Sequence, residues 1–194
     1  MSAPLPIEEP ITSRRYLDWL AAHGDGVRRE LVDGRVVEMN AERVRHAVVK
    51  LDVAVELRRA ISAAGLDCTV FGDGASVVVD EWNTCEPDAT VQCGGIWDPD
   101  ALVVESPVIV VEVLSPSTES KDTGSKLIGY LGLEAVRHYL LTDPVRRMLV
   151  HHAKGGDGTV LTRLAGDGAL ELDPPGLSVD VAACFASLPP LPSG

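Results

Sequence analysis

Hydrophobic and polar positions change period several times along the chain, and each change marks an element. VIVVEVL, residues 108–114, is apolar except for Glu112. So many β-branched residues predict a central strand covered on both faces, and Ser115-Pro116-Ser117 should turn the chain after it. RRELVDGRVVEM, residues 28–39, reads as two strands joined at Asp33-Gly34, a strong hairpin signal. Residues 45–63 form the longest helical segment, with Val48, Leu51, Val55 and Ile61 as its expected apolar face and Gly65 as its stop. Earlier, Thr12 is placed to cap a helix whose stripe is Tyr16, Leu17, Leu20 and Ala21, ended by Gly24 and Gly26.

Short strands are expected at 68–71, 75–79 and 88–92, and a helix over 121–134 despite Gly124, Gly129 and Gly132. Strands at 136–143, 147–152 and 159–164 and a short helix near 181–187 complete the pattern. Strand 108–114, helix 121–134 and the next strand make a β-α-β succession, whereas 28–39 and 147–164 look antiparallel. The expected fold is α/β with α+β character: a mixed sheet flanked by helices, with an N-terminal β-hairpin. A chain of 194 residues with no evident linker or repeat reads as one domain, 1–194.

Composition narrows the setting. Hydrophobic residues make up 45% and charged residues 24%, as in an ordinary globular protein. No apolar stretch approaches the roughly 20 residues that span a bilayer, and MSAPLPIEEP is not a signal segment, so the expectation is a cytoplasmic protein without a membrane partner. Cys68, Cys85, Cys93 and Cys184 contain no CxxC pair and are expected to pack as reduced thiols. Net charge is -12, from 29 acids against 17 bases, and no Lys or Arg occurs between Arg59 and Lys121. Asp67, Asp73, Asp80, Glu81, Glu86, Asp88, Asp98, Asp100, Glu105, Glu112 and Glu119 all fall in that gap. Such a region attracts divalent cations and repels a nucleic-acid backbone unless cations intervene.

A carboxylate in a buried strand needs a partner, a proton or a metal. Asp88, opening the strand after Pro87, is the first candidate partner for Glu112. Carboxylates on neighbouring strands can share Mg²⁺, and the Val113 carbonyl could add a ligand. The competing reading has Asp88 capping a turn and Glu112 paired with a buried arginine. Asp122, Lys126 and Tyr130 share one helical ridge, where Lys126 could stabilise phosphoryl charge or simply pair with Asp122. Leu127 and Leu131 would anchor that helix to the sheet. Glu30 either points to the same cleft or faces solvent. His46 and Lys50, one turn apart, face a phosphate, a partner or simply water. His23, His138, His151 and His152 fit no HExxH pattern, and no GxSxG surrounds Ser115 or Ser117.

Taken together, ELVDG (30–34), His46 entering a helix, EPDATV (86–91), VVEVLSPST (110–118), KDTGSKLIGY (121–130) and VRHYLLTDP (136–144) resemble the bacterial family of restriction endonuclease-like proteins within the PD-(D/E)XK nuclease superfamily. The resemblance extends over about residues 12–187 and implies a restriction-endonuclease-like core. It makes Asp88 the acid of the PD motif and Glu112 the acid of the (D/E)XK motif. Leu114 stands where that motif has its lysine, and Lys126 from the following helix takes its place. Glu30 matches the early acid, His138 stands where many relatives have an acid, and Asp122 and Tyr130 would orient Lys126.

The implied function is an endonuclease that hydrolyses phosphodiester bonds in nucleic acid, DNA foremost. Its cofactor would be Mg²⁺, with Mn²⁺ as a substitute, held by Asp88, Glu112 and Val113. The catalytic set would be Glu30, Asp88, Glu112 and Lys126, supported by His46, Asp122 and Tyr130, in a homodimer. The alternative is an inactive nuclease-fold module that binds nucleic acid or protein.

Overall fold

The computed structural model describes residues 9–22, 26–114 and 123–190. Helix α1 (Ser13–Ala22) precedes the hairpin β1 (Arg29–Val32) and β2 (Arg35–Glu38), and the long helix α2 (Val44–Ala64) follows. Strands β3 (Cys68–Gly72), β4 (Val77–Val78), β5 (Thr84–Cys85), β6 (Ala89–Cys93) and β7 (Pro107–Val113) lead to helix α3 (Thr123–Gly132). Strands β8 (His138–Asp143), β9 (Met148–Lys154), β10 (Val160–Ala165), β11 (Ala169–Leu172) and β12 (Leu177–Asp180) and a 3₁₀ turn (Ala183–Phe185) complete the order.

Six strands form the main sheet in the order β10-β9-β8-β7-β6-β3. The β7–β8 pair is parallel, as the β-α-β succession requires, and the flanking pairs are antiparallel, which makes the sheet mixed. A smaller sheet, β2-β1-β5-β4, carries the hairpin, and Asp33 and Gly34 both have positive φ (49° and 74°) in its two-residue loop.

Strand β7 shows why a carboxylate interrupts an apolar run. Its side chains alternate, so Ile109, Val111 and Val113 pack in one core with Val49, Val53 and Leu57 of α2. Val110 belongs to the opposite core, with Tyr139 and Leu141 of β8 and Tyr130 and Leu131 of α3. Glu112, two residues beyond Val110, shares that second face near the end of the strand, where it meets Lys126 and Tyr130 of α3. Leu127 also packs there, as expected of the ridge that anchors α3.

The buried face of α2 differs from the expected one. His46, Val49, Lys50, Val53, Glu56, Leu57, Ala60 and Ile61 are buried, while Leu51 and Val55 are 66% and 57% exposed. Of the expected face, Ile61 is buried and Val48 half-buried. Three polar side chains lie on the true face, so hydropathy alone put the stripe on the wrong side. Gly65 ends the helix in a left-handed conformation (φ 63°), and its N–H and that of Leu66 close the last turn.

At the N-terminus, Thr12 Oγ1 accepts the Arg15 N–H (3.4 Å) and Tyr16 is fully buried, its hydroxyl donating to the Arg29 carbonyl (2.7 Å). Ala21 is exposed and does not join the stripe. The hairpin β11–β12 lies where no element was expected, and it covers the α2-side core with Leu170, Leu172, Leu177 and Val179. Cys68 and Cys93 are bridged by a disulfide, which corrects the expectation of four reduced thiols. They are cross-strand partners in β3 and β6, a register that spacing in the sequence does not reveal. Cys85 and Cys184 are buried free thiols. No helix among the described residues is long and apolar enough to cross a membrane. Ser115, Ser117 and Asp122, together with Gly24 and His23, lie outside the described residues.

Candidate functional site

Glu112 lies on β7 and meets side chains of α3. Helix α3 returns Lys126 and Tyr130, one turn apart, to the end of β7. Lys126 Nζ donates to Glu112 Oε1 (3.1 Å) and Tyr130 Oη donates to the same oxygen (2.9 Å). Lys126 also donates to Glu30 Oε1 (3.0 Å), which in turn accepts the Glu86 N–H (2.9 Å). Glu30 is buried against Lys126, so the solvent-facing alternative is excluded. No donor among the described residues reaches the other oxygen of Glu112, whose side chain is 15% exposed. Close approach of α3 to the smaller sheet depends on Gly129: a Cβ there would lie 2.6 Å from Val79 Cγ1.

Asp88 sits on the other side of the Val113 peptide. Its Oδ2 accepts the Val113 N–H (2.6 Å), closing the ladder at the end of β7, while its Oδ1 meets Lys50 Nζ (2.8 Å). Lys50 is buried on α2 and also donates to Glu42 (2.6 Å) and Asp73 (2.8 Å). His46, one turn earlier, places Nε2 2.6 Å from the Val113 carbonyl oxygen and 3.6 Å from Asp88 Oδ2, with Nδ1 3.1 Å from Glu42. Arg28 draws the remaining acids together, reaching Glu86 (2.6 Å), Glu42 (2.7 Å) and Asp73 (3.2 Å). His46 and Lys50 are therefore buried at the site, and the solvated-face reading fails.

Electrostatics differ between the two sides. Burial pushes Glu112 up to about 7; Lys126 opposes this, and the Asp88 and Glu30 carboxylates reinforce it. Burial alone would lower Lys126, but Glu112 and Glu30 outweigh it and hold the ammonium charged. Tyr130 is raised by burial and then by Glu112, so its hydroxyl stays a donor. Across the Val113 peptide, burial would raise Glu42, but hydrogen bonds from Lys50, Arg28 and His46 hold it down at about 2.

Six carboxylates (Glu30, Glu42, Asp73, Glu86, Asp88, Glu112) thus face three permanent cations (Arg28, Lys50, Lys126), which leaves a surplus of negative charge even with Glu112 partly protonated near neutral pH. A divalent cation suits that surplus. Glu42, His46 and Asp88 offer ligand atoms all within 4.8 Å of one another, and this cluster could coordinate a divalent metal. Of the expected ligands, Asp88 belongs to it and the Val113 carbonyl borders it, whereas Glu112 is not part of that grouping and is held on the α3 side. Glu42, Lys50, Arg28 and Asp73 were not in the expected site. The i, i+4 spacing of Glu42, His46 and Lys50 was the available signal. The competing arginine partner for Glu112 is replaced by Lys126 and Tyr130. A cavity of about 320 Å³ reaches Lys126, and a larger one of about 520 Å³ touches the network only at Asp73.

His138 lies away from this site, bonded to His151 (2.9 Å) and to the Pro174 carbonyl (2.8 Å). Leu114 packs against the second core, and its N–H donates to Thr142 (2.8 Å), so a lysine is neither present nor replaced locally at that position.

Comparison with known proteins agrees with this architecture. A crystal structure titled a "putative nuclease belonging to DUF820", from Anabaena variabilis, superposes with a TM-score of 0.69 over 91% of this chain and 98% of that one. At 14% identity it shows the fold, an α/β restriction-endonuclease-like core. An uncharacterized protein of Synechocystis sp. is 30% identical over 190 residues, 96% of each chain. The family model Uma2, described as "Putative restriction endonuclease", matches residues 14–182. The chain is a nuclease-fold protein and belongs to the Uma2 family, related to the PD-(D/E)XK nucleases.

Proposed function

We propose that the protein is a divalent-metal-dependent phosphodiesterase that cleaves nucleic acid, DNA foremost, with Mg²⁺ as the cofactor and Mn²⁺ as a substitute. One observation carries the reading: Asp88 and Glu112 flank the Val113 peptide, and each is met by a lysine from a different helix. Asp88, Glu112 and the Val113 carbonyl would hold the metal, with His46 and Glu42 bordering it. A metal bound there lowers the pKa of an attacking water and polarises a phosphoryl oxygen.

The chain's own residues supply the rest. Tyr130 and Lys126 fix Glu112 Oε1, so the second oxygen would be the one to meet the metal. Glu30 anchors the Lys126 ammonium, and Lys126 stabilises negative charge that develops on the phosphoryl group. The acidic surroundings favour approach of the substrate only when cations intervene, in accord with metal dependence. Two copies, each contributing one cleft, would cut both strands of a duplex.

The test is cleavage of a panel of supercoiled plasmid, linear duplex and single-stranded DNA and RNA with Mg²⁺ or Mn²⁺. Glu112→Ala and Asp88→Asn should each lower the rate by about 10³-fold or more while circular dichroism shows an intact fold. Cleavage retained by Glu112→Ala would defeat the assignment. A second reading, an inactive binding module, is favoured by one feature: both oxygens of Asp88 and the Val113 carbonyl already have protein donors. Nucleic-acid binding by the wild type without cleavage under any metal would support it.

A further inference from the structure

We propose that Lys50 is the resident counter-ion of the Asp88 locus. Its ammonium holds the Asp88 carboxylate in the metal-free protein and gives up Oδ1 when a divalent cation binds, so Lys50 sets the affinity of the site for metal. The inference rests on the metal-dependent reading above and adds a positioning residue to it.

Asp88 has no oxygen without a donor. Oδ2 accepts the Val113 N–H at 2.6 Å and Oδ1 faces Lys50 Nζ at 2.8 Å. A cation that uses Asp88 must therefore replace a protein donor or crowd against one. The Val113 N–H is backbone at the end of β7, and moving it would disturb the β7–β8 ladder, where Val113 pairs with Thr142. Lys50 is the movable donor, a point charge on a flexible four-carbon stem.

The surroundings already contain a second place for the ammonium. Lys50 Nζ is 2.8 Å from Asp73 Oδ2, and the Asp73 side chain is 46% exposed, so a small rotation toward solvent keeps one ion pair while releasing Asp88. Glu42 would not be stranded, because Arg28 holds it at 2.7 Å. The ammonium and a metal both require the same carboxylate oxygen, and two cations within a few ångströms repel in a buried setting. Metal occupancy and the Lys50–Asp88 contact are mutually exclusive, and the Lys50 charge is returned toward the cleft mouth when metal binds.

The experiment uses the full-length protein and Mn²⁺ as the probe, followed by calorimetry in the wild type, Lys50→Gln and Lys50→Arg. Lys50→Gln should bind Mn²⁺ about tenfold more tightly or better, and Lys50→Arg, which keeps the charge, should stay near the wild type or weaker. On the wild type itself, acylation of Lys50 by an amine-reactive reagent, read by mass spectrometry, should accelerate several-fold when saturating Mn²⁺ is present. This second readout stands even if Lys50→Gln folds poorly. Mn²⁺ binding with no change in Lys50 labelling, or equal or weaker Mn²⁺ binding by a folded Lys50→Gln, would overturn the inference and leave the metal reading intact. If neither the wild type nor a folded Lys50→Gln takes up Mn²⁺, the metal-dependent reading itself falls and the inference falls with it.

Discussion

Lys126 and Lys50 lie on helices that reach the end of β7 from separate directions, and each neutralises buried carboxylates there, yet their surroundings differ. Among the described residues Lys126 is the cation that pairs with Glu30 and Glu112, helped by the neutral donors Tyr130 Oη and the Glu86 N–H. Lys50 shares Glu42 and Asp73 with Arg28, and Asp88 keeps the Val113 N–H even without it. One lysine is concentrated on a pair of acids; the other belongs to a distributed network. The difference teaches that charge at this site is held rigidly on the α3 side and redundantly on the α2 side, where a metal could exchange for it.

The largest effect that could break this comparison is on stability. Lys126→Met would leave Glu30 and Glu112 buried without their cation and should cost about 3–5 kcal/mol. Lys50→Met should cost about 1–2 kcal/mol, since its acids keep other donors. Urea unfolding of both variants checks the ranking, and equal losses would refute the asymmetry. Next in size is Gly129→Ala, whose methyl would collide with the stiff Val79 side chain and lift α3. A cost of about 1–3 kcal/mol is expected, and the cleavage proposed above should fall alongside because Lys126 moves with the helix. An unchanged melting temperature would show that α3 has slack.

The mildest perturbation is a single proton on each side, and the two sides respond in opposite directions. Glu112 has its folded pKa raised to about 7 from an ordinary 4.5. The native state therefore binds a proton that the unfolded chain does not, and metal-free stability falls as pH rises from about 4.5 to 7. Glu42 has its folded pKa lowered to about 2. Its stabilisation is present above the unfolded value near 4.5 and is lost as pH falls toward 2. Melting temperatures from pH 2.5 to 8 in Glu112→Gln and Glu42→Gln should each flatten one window and spare the other. A loss of both slopes in one variant would mean that the two networks titrate as one.

Much of this was legible in the sequence where local rules and tertiary demands agree. The Asp33-Gly34 turn, the β-α-β unit and the position of Glu112 followed from period and turn chemistry. Lys126 meets both Glu30 and Glu112, and Tyr130 meets Glu112, which brings together four residues that the family resemblance names. The α2 face was misread because His46, Lys50 and Glu56 lie on its buried side, and a hydropathy pattern assigns such residues to water. Arg28, Glu42 and Asp73 could not be joined to the site from spacing, since the network is made by chain segments far apart in sequence. The hairpin β11–β12 did carry a signal: ALEL and LSVD alternate apolar and polar residues, and their apolar sides are the ones buried. The Cys68–Cys93 bridge depended on strand register, which no local pattern supplies.

The divalent-cation site proposed above consists of Asp88, Glu112 and the Val113 carbonyl. Crystals soaked in Mn²⁺ test it most directly, through the anomalous difference map. The account predicts a peak beside the Val113 carbonyl, within ligand distance of carboxylate oxygens of Asp88 and Glu112, with the Lys50 ammonium withdrawn from Asp88 toward Asp73. A map without a peak there, or with Mn²⁺ bound only at surface acids and Lys50 still on Asp88, would contradict it.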